Sequence, residues 1–317
     1  MARRPSQHVI RQRRLAAGGA ALLLLVVVLL VSGVFSGGDS DGASSAQEVA
    51  DRRPRPQLPG GGRRLLPDKR VVAYYGAPQD DELGALGIGS PDEAADKLQR
   101  EADRYAERGK PVLPALELIV SIAAADPGDD GMYRTRQDDA VIRRYLRTAR
   151  RHKMLLILDI QPGRSDFFTE TTRLEKWLEE PDVGLALDPE WRVQEGEVPG
   201  QVIGSVDARE VNATSAWLAQ LVDEHELPQK LFIVHQFTEG MVDDAALKPR
   251  DQLAMVLNAD GFGSRSAKRS KYHAFTKAAP DAFEQGFKLF YKEDEAMLMG
   301  PAAVLALKPP PDVVVYE

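Results

Sequence analysis

Residues 182–191 read Asp-Val-Gly-Leu-Ala-Leu-Asp-Pro-Glu-Trp, an apolar run that ends in two carboxylates, Asp188 and Glu190. In an extended strand, residues two apart point to the same side. Asp188 and Glu190 are therefore expected to share a face, with Cα atoms ~6.6 Å apart. Two acids on the crowded side of a strand are costly unless they do something. The work such a pair suits is acid/base chemistry, with one pKa raised by its neighbour.

Other apolar runs end in the same manner. Tyr74 and Tyr75 close the run that starts at Val71, and Glu117 closes the run 111–118. Asp159 and Gln161 follow Leu155-Leu-Ile-Leu, and Trp191 stands beside Glu190. His235 and Gln236 end the run 230–235, Asn258 and Asp260 the run 253–258, and Tyr291 and Glu293 the run 287–291. Taken together, these ends describe a polar cup rimmed with aromatics. Asp188 and Glu190 are the expected catalytic pair. Tyr75, Glu117, Asp159, Gln161, Trp191, His235, Gln236, Asp260 and Tyr291 are expected to bind substrate. The ligand-type residues show no diagnostic metal spacing, and the Gly-rich basic loop 261–268 lacks phosphate-loop spacing, so no metal and no cofactor is expected.

The elements that must position these residues alternate. Short apolar runs are separated by amphipathic stretches from residue 71 to the C-terminus, where Val313–Tyr316 forms an eighth run. Ser90-Pro-Asp-Glu93 carries a capping box with Pro at the first helical position. Further helices are expected near 137–152, 165–179, 207–226 and 295–307. The runs are continuously apolar, as in strands buried on both faces. Eight of them over about 250 residues predict an α/β fold, a (β/α)8 TIM-type barrel. It lacks the last helix, since the eighth run is terminal, and Pro249 breaks the helix after the fifth run. Val313–Tyr316 is expected to pair beside Val71–Tyr75 and close the barrel.

Upstream, residues 1–14 form a basic tail with five arginines and no acid. The uncharged run 15–38 is long enough to span a bilayer as an anchor, or to serve as a signal peptide. Positive charge before it places the remainder outside the membrane. Residues 39–68 read as a flexible linker rich in Gly, Ser and Pro. The barrel domain is expected over 69–317, membrane-anchored and extracytoplasmic, or secreted. The chain has no cysteine, which excludes disulfides and a lipoprotein anchor. A net charge of −7 and a pI near 5.4 argue against a nucleic-acid partner.

An Asp-x-Glu at the end of the fourth barrel strand resembles the hallmark of family-18 chitinases and family-25 muramidases. The resemblance implies a glycoside hydrolase in which Glu190 protonates the glycosidic oxygen and Asp188 orients the substrate or stabilises a charged intermediate. It covers the barrel layout and about eight residues. Val183 and Ala186 stand where the chitinase pattern has two further Asp residues, and Tyr74-Tyr75-Gly76 where the muramidase pattern has an Asp. The expected function is an exported glycosidase acting on an extracellular or cell-wall polysaccharide. The alternatives are a non-catalytic barrel that binds glycan or a partner at the outer membrane face, and a metal-dependent hydrolase built on Asp159, Asp188, Glu190, His235 and Asp260.

Overall fold

A computed structural model describes residues 54–106, 110–294 and 298–317. The expected basic tail, the membrane-length run 15–38 and the first part of the linker lie outside these residues. Among the described residues no helix is long and apolar enough to cross a membrane.

Eight parallel strands form the sheet: β1 (Arg70–Gly76), β2 (Val112–Ala123), β4 (Leu155–Ile160), β5 (Val183–Leu187), β6 (Lys230–Gln236), β7 (Leu253–Ala259), β8 (Glu284–Leu289) and β9 (Val313–Tyr316). A short β3 (Arg134–Arg136) runs antiparallel to the end of β2. The sheet closes on itself, because β1 pairs with both β2 and β9. Val71 lies opposite Val313 and Tyr74 opposite Tyr316, as the eighth run predicts. The protein is an α/β barrel of TIM type.

Helices α1 (Pro91–Asp103), α2 (Asp139–Arg151), α3 (Phe167–Thr172), α4 (Glu175–Leu178), α5 (Ala208–Glu224), α6 (Arg265–Ala278) and α7 (Pro301–Leu305) flank the barrel. The capping box of α1 forms in full: Glu93 N donates to Ser90 Oγ, and Ser90 N donates to Glu93 Oε2. Between β6 and β7 only a 3-10 turn, Asp244–Ala246, is present among the described residues. That agrees with the helix-breaking effect expected of Pro249. The helix expected over 165–179 is two short helices, and among the described residues of the one expected over 295–307 only α7, Pro301–Leu305, is helical. Helix α6 opens inside the basic loop 261–268, where the sequence pattern predicts no helix; Ser264 caps it by accepting from Ala267 N.

Both faces of each strand are buried, and alternation divides the side chains into two cores. Leu116, Leu118, Leu156, Leu158, Phe232 and Val234 face the helices. Val71, Ala73, Leu113, Ala115, Ile157, Ile233, Val256 and Val315 fill the barrel interior. Leu58, Leu65 and Leu66 join the interior core. They lie at the N-terminal end of the strands, where Gln229 Oε1, just before β6, accepts from Leu65 N and Leu66 N. The compact unit accordingly starts at Arg55, and the expectation that the linker runs to residue 68 is corrected. Its three leucines are apolar surface that the open barrel end can bury, each stabilising by about 1.5–3 kcal/mol.

One glycine is required by the interior. A Cβ on Gly286 would lie 2.3 Å from Asn258 Oδ1 and 3.0 Å from Asn258 Cβ. Asn258 is fully buried and cannot retreat into solvent. Gly286→Ala is expected to destabilise the protein by about 1–3 kcal/mol through overpacking, read as a lowered midpoint in urea. A wild-type midpoint would show that Asn258 has room to move.

Candidate active site

The top layer of the barrel interior is charged. Each parallel strand supplies an inward polar side chain, seven of them at or just past the strand's C-terminal end. The side chains are Tyr75 from β1, Glu117 from β2, Asp159 from β4, Asp188 after β5, His235 from β6, Asn258 from β7, Lys288 from β8 and Glu317 after β9. The exception corrects the expectation for Glu117, which lies mid-strand opposite Tyr75 because β2 runs on to Ala123. Parity produces the layer. Each of these positions continues the inward series of its strand, such as Ala73 to Tyr75, Ala115 to Glu117 and Ile157 to Asp159.

His235 is the hub. Its Nε2 lies 2.9 Å from Glu117 Oε1 and its Nδ1 3.0 Å from Asp260 Oδ2. Burial opposes charge on the imidazole, but the hydrogen bonds to Asp260 and Glu117 outweigh it and raise its pKa well above the usual histidine range. Lys288 Nζ sits 3.1 Å from Asp260 Oδ2 and 2.7 Å from Glu317 Oε2, and 3.8 Å over the Tyr75 ring. Burial likewise disfavours its charge, and Asp260, Glu317 and Asp188 more than restore it. Asp260 is held well below the usual carboxylate range because Lys288, His235 and the Gly261 amide overcome its burial. Lys288→Met would leave Glu317 without its cation and Asp260 with His235 alone. It is expected to cost about 3–5 kcal/mol, measured by chemical denaturation; a loss within 0.5 kcal/mol, typical of a surface change, would remove Lys288 from the charge balance.

Asp188 accepts a hydrogen bond from Tyr75 OH at 3.2 Å, and Gln161 Nε2 donates to that hydroxyl at 2.8 Å. Gln161 is fixed in turn by Ala123 N, which donates to its Oε1 at 3.0 Å. Burial raises the Asp188 pKa to about 6, against the pull of His235 and Lys288. Asp159 is raised well above the usual range by burial and by Asp188.

The shared strand face expected for Asp188 and Glu190 is corrected. Strand β5 ends at Leu187, and Pro189–Trp191 forms a 3-10 turn with Pro at its start. Two-residue parity therefore stops before Glu190. The turn aims Glu190 differently, into the wall of a cavity of about 390 Å³ at the barrel mouth. It is secured by Gly204 N, which donates to Glu190 O at 2.6 Å. Burial, then the nearby Asp188 and Asp260, push the Glu190 pKa up to about 9. Tyr75, Gln161, Trp191, Asp260 and Lys288 line the same cavity, with Phe237, Phe262 and Phe290 around them. A groove of about 710 Å³, lined by Arg63, Arg64 and Arg250, opens near the N-terminal ends of the strands, away from this layer.

No protein-family model and no curated protein matches the chain. The likeness to glycoside hydrolases therefore rests on the barrel and on Asp188 and Glu190.

Of the eleven residues expected at the site, Tyr75, Glu117, Asp159, Gln161, Asp188, Glu190, Trp191, His235 and Asp260 gather in the charged layer or the cavity. Gln236 and Tyr291 do not. Gln236 lies one residue past the inward His235, on the outer side of β6, where its amide donates to Asp244. Tyr291 follows Phe287 and Leu289 on the outer face; its hydroxyl meets Tyr74 OH at 3.0 Å and its ring stacks on Tyr316. Strand β8 covers Glu284–Leu289 instead of 287–291; Gly286 and Lys288 are on its inward face, and Phe290, just past its end, lines the cavity with Lys288.

Lys288, Glu317 and the three phenylalanines were missed. The available signal was an isolated lysine in Gly-Phe-Lys-Leu-Phe, a charge that a doubly buried strand tolerates only with partners.

Proposed function

We propose that the protein is a glycoside hydrolase that uses Glu190 as the proton donor. One observation carries this reading: the Glu190 carboxyl stands in the wall of an aromatic-lined cavity beside a buried, Tyr75-bonded Asp188. Their environments separate the two acids. Near neutral pH Glu190 keeps its proton, while Asp188, with a pKa of about 6, is ionised. That division suits protonation of a leaving oxygen by one carboxyl while negative charge from the other stabilises an oxocarbenium-like transition state. Asp260, ionised and lining the same cavity, adds to that charge.

The walls suit a sugar. Trp191 presents a buried indole Nε1–H with no protein acceptor, a donor for a ligand hydroxyl. Its ring and the phenylalanines offer flat apolar faces to sugar C–H surfaces. About 390 Å³ is within the usual range for a small-ligand site, which fits one or two sugar rings of a longer chain. The polysaccharide and its extracytoplasmic setting are proposed from residues 15–38 and the resemblance.

The test is reducing-end release by the full-length chain across a panel of cell-wall and extracellular polysaccharides, with binding read in parallel. Release from at least one polymer is expected. Binding without release would make the barrel a glycan-binding module, and neither would remove glycans from its function.

A further inference from the structure

Beneath the cavity, Glu117, Asp159 and His235 each offer one ligand atom, and these atoms all lie within 4.8 Å of one another. We propose that this trio binds one divalent first-row transition-metal ion on the barrel axis. The trio comes from three strands and is at most 1% exposed.

The polar atoms point to a ligand. Both oxygens of Asp159 and Oε2 of Glu117 are buried with no hydrogen-bond partner in the protein. Buried carboxylate oxygens left in that condition are rare and expensive. Asp159 Oδ2 faces His235 Nε2 at 3.9 Å, and Glu117 Oε1 faces the same nitrogen at 2.9 Å. Ligand bonds of ~2.0–2.2 Å allow two donors of one ion to stand ~4 Å apart. Small side-chain rotations therefore close the set around an ion.

The surroundings resemble those of built metal sites. A metal-bound histidine usually donates its second N–H to a carboxylate, which fixes the ring. Here Nδ1 lies 3.0 Å from Asp260 Oδ2, and Asp260 is itself tied to Lys288 and to Gly261 N at 2.6 Å. That leaves Nε2 for the ion, which displaces the proton on it to solvent. Two carboxylates and a neutral imidazole balance a divalent charge. The nitrogen donor favours Zn²⁺ or Mn²⁺ over Ca²⁺ and Mg²⁺, which take oxygen sets.

This proposal does not rest on glycosidase activity, and its test reads binding alone. The full-length chain, stripped with chelator, is titrated calorimetrically with ZnCl₂, MnCl₂, CaCl₂ and MgCl₂. One Zn²⁺ or Mn²⁺ per chain is expected. Asp159→Asn is isosteric and alters only unpartnered oxygens, so it should fold and lose at least ~10-fold in affinity. Asp260→Asn, acting through the imidazole, should lose ~10–100-fold. Co²⁺ provides an independent reading in the unmutated chain, where its absorption and paramagnetic NMR should report one histidine nitrogen in its coordination sphere. Substoichiometric uptake, uptake that Asp159→Asn leaves unchanged, a Co²⁺ site without nitrogen, or preference for Ca²⁺ or Mg²⁺ would each overturn the site.

Discussion

Glu190→Gln is expected to lower polysaccharide turnover at least ~10²-fold, the low end for loss of a general acid, with the fold intact. Glutamine keeps the shape and the hydrogen-bonding edge of the side chain but has no proton to give. In the unmutated protein, activity should rise through pH about 6 as Asp188 ionises and fall through about 9 as Glu190 loses its proton. The same substitution should act on stability with a defined sign. Between the ordinary glutamate value of 4.5 and about 9, the folded state holds a proton on Glu190 that the unfolded state has released. Stability must therefore fall as pH rises through that window. The variant escapes this loss, so its melting temperature should exceed wild type at pH 8 and converge with it near pH 4. Unchanged turnover in Glu190→Gln sinks the assignment of Glu190 as the acid. A variant less stable than wild type at pH 8 would show that the carboxyl is ionised in the fold.

Deleting residues 312–317 should abolish soluble folding. Val313, Val314, Val315 and Tyr316 are fully buried, the valines alone worth about 5–9 kcal/mol. A domain's whole stability is about 5–15 kcal/mol. The deletion also opens the barrel, because β9 bridges β1 and β8. Two exposed strand edges invite aggregation. Glu317 leaves as well, and with it one of the two carboxylates in contact with Lys288. The check is expression and a cooperative melt of the truncated chain. A soluble, cooperatively melting product would mean that closure by β9 is dispensable.

The order of elements was legible because it depends on local chemistry. Apolar runs of strand length, Ser90 and Glu93 around α1, and Pro249 where the fifth helix fails all act within a few residues. Closure by Val313–Tyr316 followed from counting eight runs. The site was legible in part for the same reason: polar residues ending apolar runs locate the C-terminal rim, and Tyr75, Asp159 and His235 are read from there, whereas Glu117 joins them from the middle of a strand longer than its apolar run suggests.

Which face of a strand points inward is a different matter. In a barrel both faces are buried, so hydrophobicity does not separate them. Tyr291 reads from the sequence as a rim residue although its face packs against Tyr74 and Tyr316, while Lys288 on the opposite face enters the charged layer. Parity placed Asp188 inward but did not reach Glu190, because the chain turns at Pro189. The partnerships that set the charges are longer still. His235 meets Glu117 across 118 residues, and Tyr75 meets Asp188 across 113. By itself the sequence determined the order of the barrel strands, the cap of α1 and that the strand ends are polar, since those depend on neighbours along the chain. Only the closed barrel decided which of those polar groups face one another and which acid keeps its proton, since burial and Coulomb interactions depend on distance through space.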